Sequence, residues 1–214
     1  MMDELELLKK DWQNKDEHLP KLTFDEIYKM IWKKSHSIVK WIFYISIIEL
    51  VFWAAINIIF TDAESLEMMK ALHLYKITIA LNIINYAVIL FFIYKFYVNY
   101  KKISFTDSSR KLMKTILNVK KTVTQYVWFN IGIFVTYLII LMYGILMYGA
   151  EGEQILEAAH KAGNETMFWL IFAGITIAIV AFLLVLVWVF YKLLYGLLLK
   201  QLRENYRKLK KMEV

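Results

Sequence analysis

One carboxylate, Glu49, stands inside the apolar run WIFYISIIELVFWAAINIIF at residues 41–60, and no other charged residue occupies any of the chain's long apolar runs. An ionised acid in hydrocarbon is expensive, so a residue of this kind marks either a proton or ion path or a hydrogen-bonded tie between helices. Eight residues after Trp41, it lies about 12 Å along a helix, near the middle of a bilayer. Partners expected at that depth are Asn85 and Tyr86 in the second run and Thr136 and Tyr137 in the third. Asn82, three residues before Asn85, shares its face and extends the polar set. No second acid, base or cation accompanies Glu49 in the runs, so a structural tie is expected ahead of conduction.

Other reactive spacings are weaker. Glu157 and His160 form a Glu-x-x-His pair, half of the motif that holds two metals in a helical bundle. The corresponding stretch Glu67-Met68-Met69-Lys70 lacks the second half, which leaves at most a weak surface metal site. All four histidines, His18, His36, His73 and His160, lie outside the apolar runs, which disfavours a haem between helices. The chain has no cysteine, which removes disulfides, thiolate metal sites and thiol catalysis. Gly144 and Gly149 have Walker spacing but precede Ala-Glu instead of Lys-Ser/Thr. Asn164-Glu165-Thr166 fits a glycosylation sequon. Neither an enzyme nor a cofactor is expected.

The elements that must position these residues follow from composition. Of 214 residues, 59% are apolar and 21% charged. A soluble core this small could not hide that much apolar surface. Four runs, at 41–60, 77–94, 126–149 and 167–191, are each long enough to cross a hydrocarbon core of about 30 Å as a helix. The expected fold is all-α: a polytopic membrane protein with four transmembrane helices and long cytoplasmic helical extensions. The segments are an amphipathic stretch 1–40, a first hairpin 41–100 with its outer loop at 61–76, a basic connector 101–125, a second hairpin 126–199 with its outer loop at 150–166, and a basic tail 200–214.

Charge sets the expected orientation. The connector region holds Lys95, Lys101, Lys102, Arg110, Lys111, Lys114, Lys120 and Lys121 against Asp107 alone, and the tail is also strongly basic. The loop 150–166 is acidic. Lysine and arginine resist translocation, so residues 1–40, the connector and the tail are expected in the cytoplasm, with both termini inside. Membrane lipid accounts for the cations, and nucleic acid is not an expected partner. Trp41, Trp128 and Trp169 at span ends fit an interfacial belt.

Helical periodicity extends beyond the spans. Leu5, Leu8 and Trp12 share one face, and Pro20 separates them from a second unit. Thr23 and Glu26 have capping-box spacing, followed by the stripe Ile27, Met30 and Ile31. Ser108 falls in a start signal before Leu112, Ile116, Val119 and Val123, which predicts one long helix through the third span. Leu194, Leu198, Leu202 and Tyr206 continue the fourth. These faces can pack on one another, lie on lipid or dock a partner. Leu5, Leu8, Trp12, Ile27 and Ile31 are the candidates for docking. Gly174 and Ala178, extended by Ala181, form a small-xxx-small pair, expected to pack in the core in preference to forming a homo-oligomer contact. The two hairpins echo one another faintly, as a parallel repeat would.

The opening DELELLKKDWQ and the YKMIWKKSHSIVKWIF approach to the first span resemble uncharacterised four-span inner-membrane proteins of flavobacterial type. Some members of that type carry a carotene-oxygenase label. Carotenoid oxygenases are β-propellers that hold iron with four histidines, so the label is not carried to this chain. The expected role is a non-enzymatic anchor, regulatory or assembly component that docks a partner through cytoplasmic helices, anti-sigma-like in one form. The alternative is a small transporter or channel subunit that uses Glu49.

Overall fold

The computed structural model describes residues 23–104 and 108–212. Helix α1, Phe24–Phe60, begins with the capping box expected from the sequence. The Thr23 hydroxyl accepts the Glu26 N–H at 3.3 Å, and the Glu26 carboxylate accepts the Thr23 N–H at 2.8 Å. With no proline or glycine to interrupt it, α1 runs 37 residues through the junction at 40/41 without a break. A short α2, Ala63–Ala71, is capped by Asp62, and a turn with His73 at φ +57° leads into α3, Tyr75–Ser104. Ser108 caps α4, Ser109–Tyr148, which passes 125/126 unbroken for 40 residues. Then come α5, Ala150–Lys161, and α6, Glu165–Tyr191, whose Asn164 cap accepts the Met167 N–H at 3.1 Å. One π-helical turn, Lys192–Gly196, joins α6 to α7, Leu197–Met212. No strand occurs among the described residues.

Both acidic stretches expected as loops therefore contain helices. Asp62 and Ser65 cap each other's backbone at the start of α2, and α5 gathers Glu151 and Glu153 in its first turn and His160 and Lys161 in its last, complementing the helix dipole.

Among the described residues, four helices are long and apolar enough to cross a membrane, namely α1, α3, α4 and the α6–α7 rod. They pack as a bundle in which α1 lies against α3, α3 against α4, and α7 against both α1 and α4. The fully buried core sits at the lysine-rich end. It joins Ile38 and Ile42 of α1, Phe96 and Ile103 of α3, Leu112, Ile116, Val119 and Val123 of α4, and Leu202 and Leu209 of α7. The α4 stripe is buried as its spacing predicts. On the tail Leu202 is buried, Leu194, Leu198 and Tyr206 pack partly against the core, and Asn205 and Leu209 join it.

Polar ties cross this core. Trp32 Nε1 donates to the Ile103 carbonyl at 2.9 Å, Asn99 Nδ2 to Thr122 Oγ1 at 3.3 Å, and Asn205 Nδ2 to Ser35 Oγ at 3.0 Å. Hydrogen-bonded in this way, the buried polar groups add specificity without the penalty of an orphan.

Two expectations change here. Ile31 is buried in the core with Ile27 packed against it, so this face is satisfied within the chain and is not open for docking. Leu5, Leu8 and Trp12 lie outside the described residues. Gly174 and Ala178 do not pack in the bundle: both are exposed, and nothing lies within 4 Å of where a Gly174 Cβ would stand. Gly144 is a glycine that close approach of a neighbouring side chain requires. Leu74 seats against it so tightly that a Cβ there would fall 2.5 Å from Leu74 Cδ1.

Candidate functional site

Glu49 is 5% exposed, on the α1 face that meets the end of α6. Tyr191 donates its hydroxyl to Oε1 at 2.6 Å, and Tyr195 donates to Oε2 at 2.9 Å. Each carboxyl oxygen thus receives a phenol hydroxyl. The two phenols come from the π-helical region: Tyr191 directly precedes that turn and Tyr195 lies in it. Their rings stack at 6.2 Å with planes 16° apart. Tyr126 of α4 stands edge-on to both, at 6.4 Å and 6.0 Å. Its hydroxyl lies beside the carboxylate but makes no well-formed hydrogen bond. Phe92 and Phe96 of α3 close the cluster edge-on to Tyr126. Helices α1, α3, α4 and α6 therefore converge on one carboxylate at the boundary between the packed and the apolar halves of the molecule.

The partners expected for Glu49 at equal depth are not the ones it takes. Thr136 donates to the Gly132 carbonyl of its own helix at 2.9 Å. Tyr137 donates to Asn82 Oδ1 at 2.7 Å, so these two predicted residues meet each other and form a separate tie between α3 and α4. Asn85 meets neither, and its Oδ1 is buried without a partner. The signal that could have found the true partners is the pair Tyr191 and Tyr195, four residues apart on one helix face. Tyr126, the first residue of the third apolar run, gives no comparable signal.

Beyond this cluster the apolar halves of the helices diverge around a cavity of about 770 Å³. Asn57 of α1, Asn82 and Asn85 of α3, and Asn130 and Tyr137 of α4 face it, amid a mostly apolar wall that includes Trp53, Ile133 and Phe190. Tyr191 lines it too, so the tyrosine that binds Glu49 also separates the acid from the cavity.

Glu157 and His160 do not act together. Glu157 pairs with Lys161 at 3.1 Å, while His160 Nδ1 lies 2.6 Å from Glu165, all on the surface. No group of three or more metal-ligating side chains occurs among the described residues.

No curated protein and no solved structure matches the chain. The profile of one family, described as a domain of unknown function (DUF8845), matches residues 25–214, which takes in nearly all of α1, the Glu49 cluster, the cavity and the whole of α7. With nearly its full length covered in this way, the chain belongs to the DUF8845 family.

Proposed function

We propose that this is a non-enzymatic integral protein of the bacterial inner membrane, crossing the bilayer four times with both termini in the cytoplasm. It would hold a cytosolic partner at the membrane as an anchoring, regulatory or assembly component, anti-sigma-like in its simplest form. The observation that supports this reading is a groove between α4 and α7. Its floor is Ile116, Leu117, Leu199 and Leu202, and its rim is Lys120, Arg203, Arg207 and Lys210. An apolar floor with a cationic rim suits an amphipathic helix whose apolar face is flanked by acids. Glu49 is read as a tie, because both its oxygens are engaged by phenols.

A photo-crosslinking residue at Leu117 or Leu199, used in native membranes, tests the role. It is expected to capture one identifiable protein through an acidic amphipathic segment, and Arg203→Glu with Arg207→Glu is expected to abolish the adduct. Adducts with lipid alone, or repeated recovery of the chain by itself, would overturn the reading. A reporter fused after Val214 is expected in the cytoplasm, and its appearance on the other side would overturn the topology.

A further inference from the structure

The groove between α4 and α7 has a spacing as well as a composition. On α7, Leu199, Leu202 and Tyr206 line it in steps of three and four residues, and Arg203, Arg207 and Lys210 border it in steps of four and three. Each row runs about 10 Å along the helix. Lys120 of α4 completes the cationic border. Among the described residues no carboxylate forms a salt bridge with any of these four cations. Leu117 leaves 47% of its surface exposed at the lip, while Ile116 and Leu202 close the bottom. The space is about 340 Å³. It accepts side chains but not a helix of roughly 10 Å diameter, so a fitting segment lies along the mouth and lowers its apolar side chains between α4 and α7.

The chain carries such a pattern outside the described residues. Leu5, Leu8 and Trp12 repeat the three-and-four steps of Leu199, Leu202 and Tyr206. On the helix that this spacing predicts, Glu4 and Asp11 border the Leu8 edge of the apolar face. Seven residues separate those two acids, about 10 Å, which is the run of the Arg203–Lys210 row. Opposite charges in matched rows fix a register as well as attract.

The segment can reach the groove. Ser35 of α1 accepts a hydrogen bond from Asn205 of α7, which places the two helices side by side at that level. From Ser35 back to Thr23 is twelve residues of α1, about 18 Å. The far side of α7 is about one further helix diameter away, roughly 10–12 Å. Residues 13–22 form the link between Trp12 and Thr23, and when extended they span up to about 33 Å. A tether this short holds the segment at an effective concentration in the millimolar range, so even weak intrinsic affinity fills the groove.

We propose that residues 1–12 of this chain occupy the α4–α7 groove, with Leu5, Leu8 and Trp12 on its apolar floor and Glu4 and Asp11 against Arg203, Arg207 and Lys210. The proposal rests on the reading of this groove as the seat of an acidic amphipathic helix, and an outside helix then competes with the chain's own segment.

The chain has no cysteine of its own, so introduced pairs report cleanly. In the purified full chain, Leu8→Cys with Leu117→Cys is expected to form a disulfide within one chain under mild oxidation. The rate should be roughly tenfold that of Leu8→Cys with Ser37→Cys, an exposed position of α1 outside the groove. Arg203→Glu with Arg207→Glu should slow the first pair about fivefold, and adding Glu4→Lys with Asp11→Lys should restore it. Leu5→Asp with Trp12→Asp, which leaves α4 and α7 untouched, should slow it as much. The result should be the same in nanodiscs of phosphatidylcholine with and without phosphatidylglycerol. Equal rates at Leu117 and Ser37 would overturn the proposal, as would indifference to the charge reversals, a disulfide between two chains, or loss of the disulfide on adding anionic lipid. The purified chain holds no partner, so this outcome stands apart from the adduct sought in native membranes. An adduct without the disulfide removes self-docking alone, and the disulfide without an adduct removes the outside partner alone.

Discussion

At the lysine-rich end, Ile42, Phe96, Ile103 and Leu112 have no exposed surface, while in the apolar half Ile58, Ile83, Leu170 and Ile177 each leave about two-thirds or more of theirs open. The same four rods produce both conditions. Side chains that meet water are driven together by the hydrophobic effect, and the bundle closes around them. Side chains that meet lipid gain nothing from leaving it, so the helices there are held by small close contacts and polar ties. Glu49 with its two tyrosines, the Tyr137–Asn82 bond and the Leu74–Gly144 contact are such fastenings. The contrast teaches that dense packing in this molecule reports the solvent as much as the function, and that the open half has room to receive something.

The largest effect should come from truncating the closed half. Leu112→Ala or Leu202→Ala is expected to cost about 2–5 kcal/mol, against no more than about 0.5 kcal/mol for Ile177→Ala on the open face of α6. Unfolding followed in detergent by circular dichroism would measure both, and similar losses would erase the distinction. Next comes the junction between the halves. Glu49→Leu strands two phenols, at about 1–3 kcal/mol for each. Glu49→Gln should be milder, because its amide oxygen still accepts a hydroxyl.

Within the open half, Gly144→Ala is expected to destabilise by about 1–3 kcal/mol through displacement of Leu74, whereas Gly174→Ala should be near neutral because nothing faces it. Thermal midpoints of the two variants compare a packed glycine with an unpacked one directly. The smallest effect concerns acid. The Ser65 hydroxyl and backbone N–H both donate to Asp62 and hold its carboxyl below the ordinary aspartate range. The folded form therefore binds that proton less readily than the unfolded one. The α2 cap is fully present above the ordinary aspartate pKa of about 3.9 and is lost as pH falls through the lowered value. Hydrogen exchange of the first α2 amides, adjusted for intrinsic rates, should lose protection between pH 5 and pH 2, and Asp62→Asn should remove the dependence.

The helices were legible in the sequence because their signals are local. The Thr23–Glu26 box, the Ser108 cap and the four-three-four spacing from Leu112 to Val123 each involve residues within a few turns of one another. The stripe at Ile27 and Ile31 was also legible, but its destination was not, since periodicity gives a face without saying what covers it. Glu49 was identifiable as a lone acid, yet its partners lie 142 and 146 residues away. Matching depths from the starts of the spans places Tyr191 at a membrane edge, because that arithmetic assumes spans of equal length and tilt. The π-helical turn had no sequence rule to announce it. The helices α2 and α5 are hard to read because acidic stretches between spans look first like turns; Asp62 is a good cap for α2, but α5 follows Gly149, which offers no side-chain cap.

The unbroken passage of α1 and α4 through both environments bears on how the molecule can be taken apart. At 1.5 Å per residue these rods are roughly 55 Å and 60 Å long, about twice the thickness of a hydrocarbon layer. Residues that pack the lysine-rich end are threaded on the same backbone as the exposed apolar residues of the other half. Scission near residue 41 or near residue 126 would sever one rod of the bundle at mid-height, so neither piece is expected to survive as a dissectible soluble module. Whatever tilts a rod at one end must also move its other end.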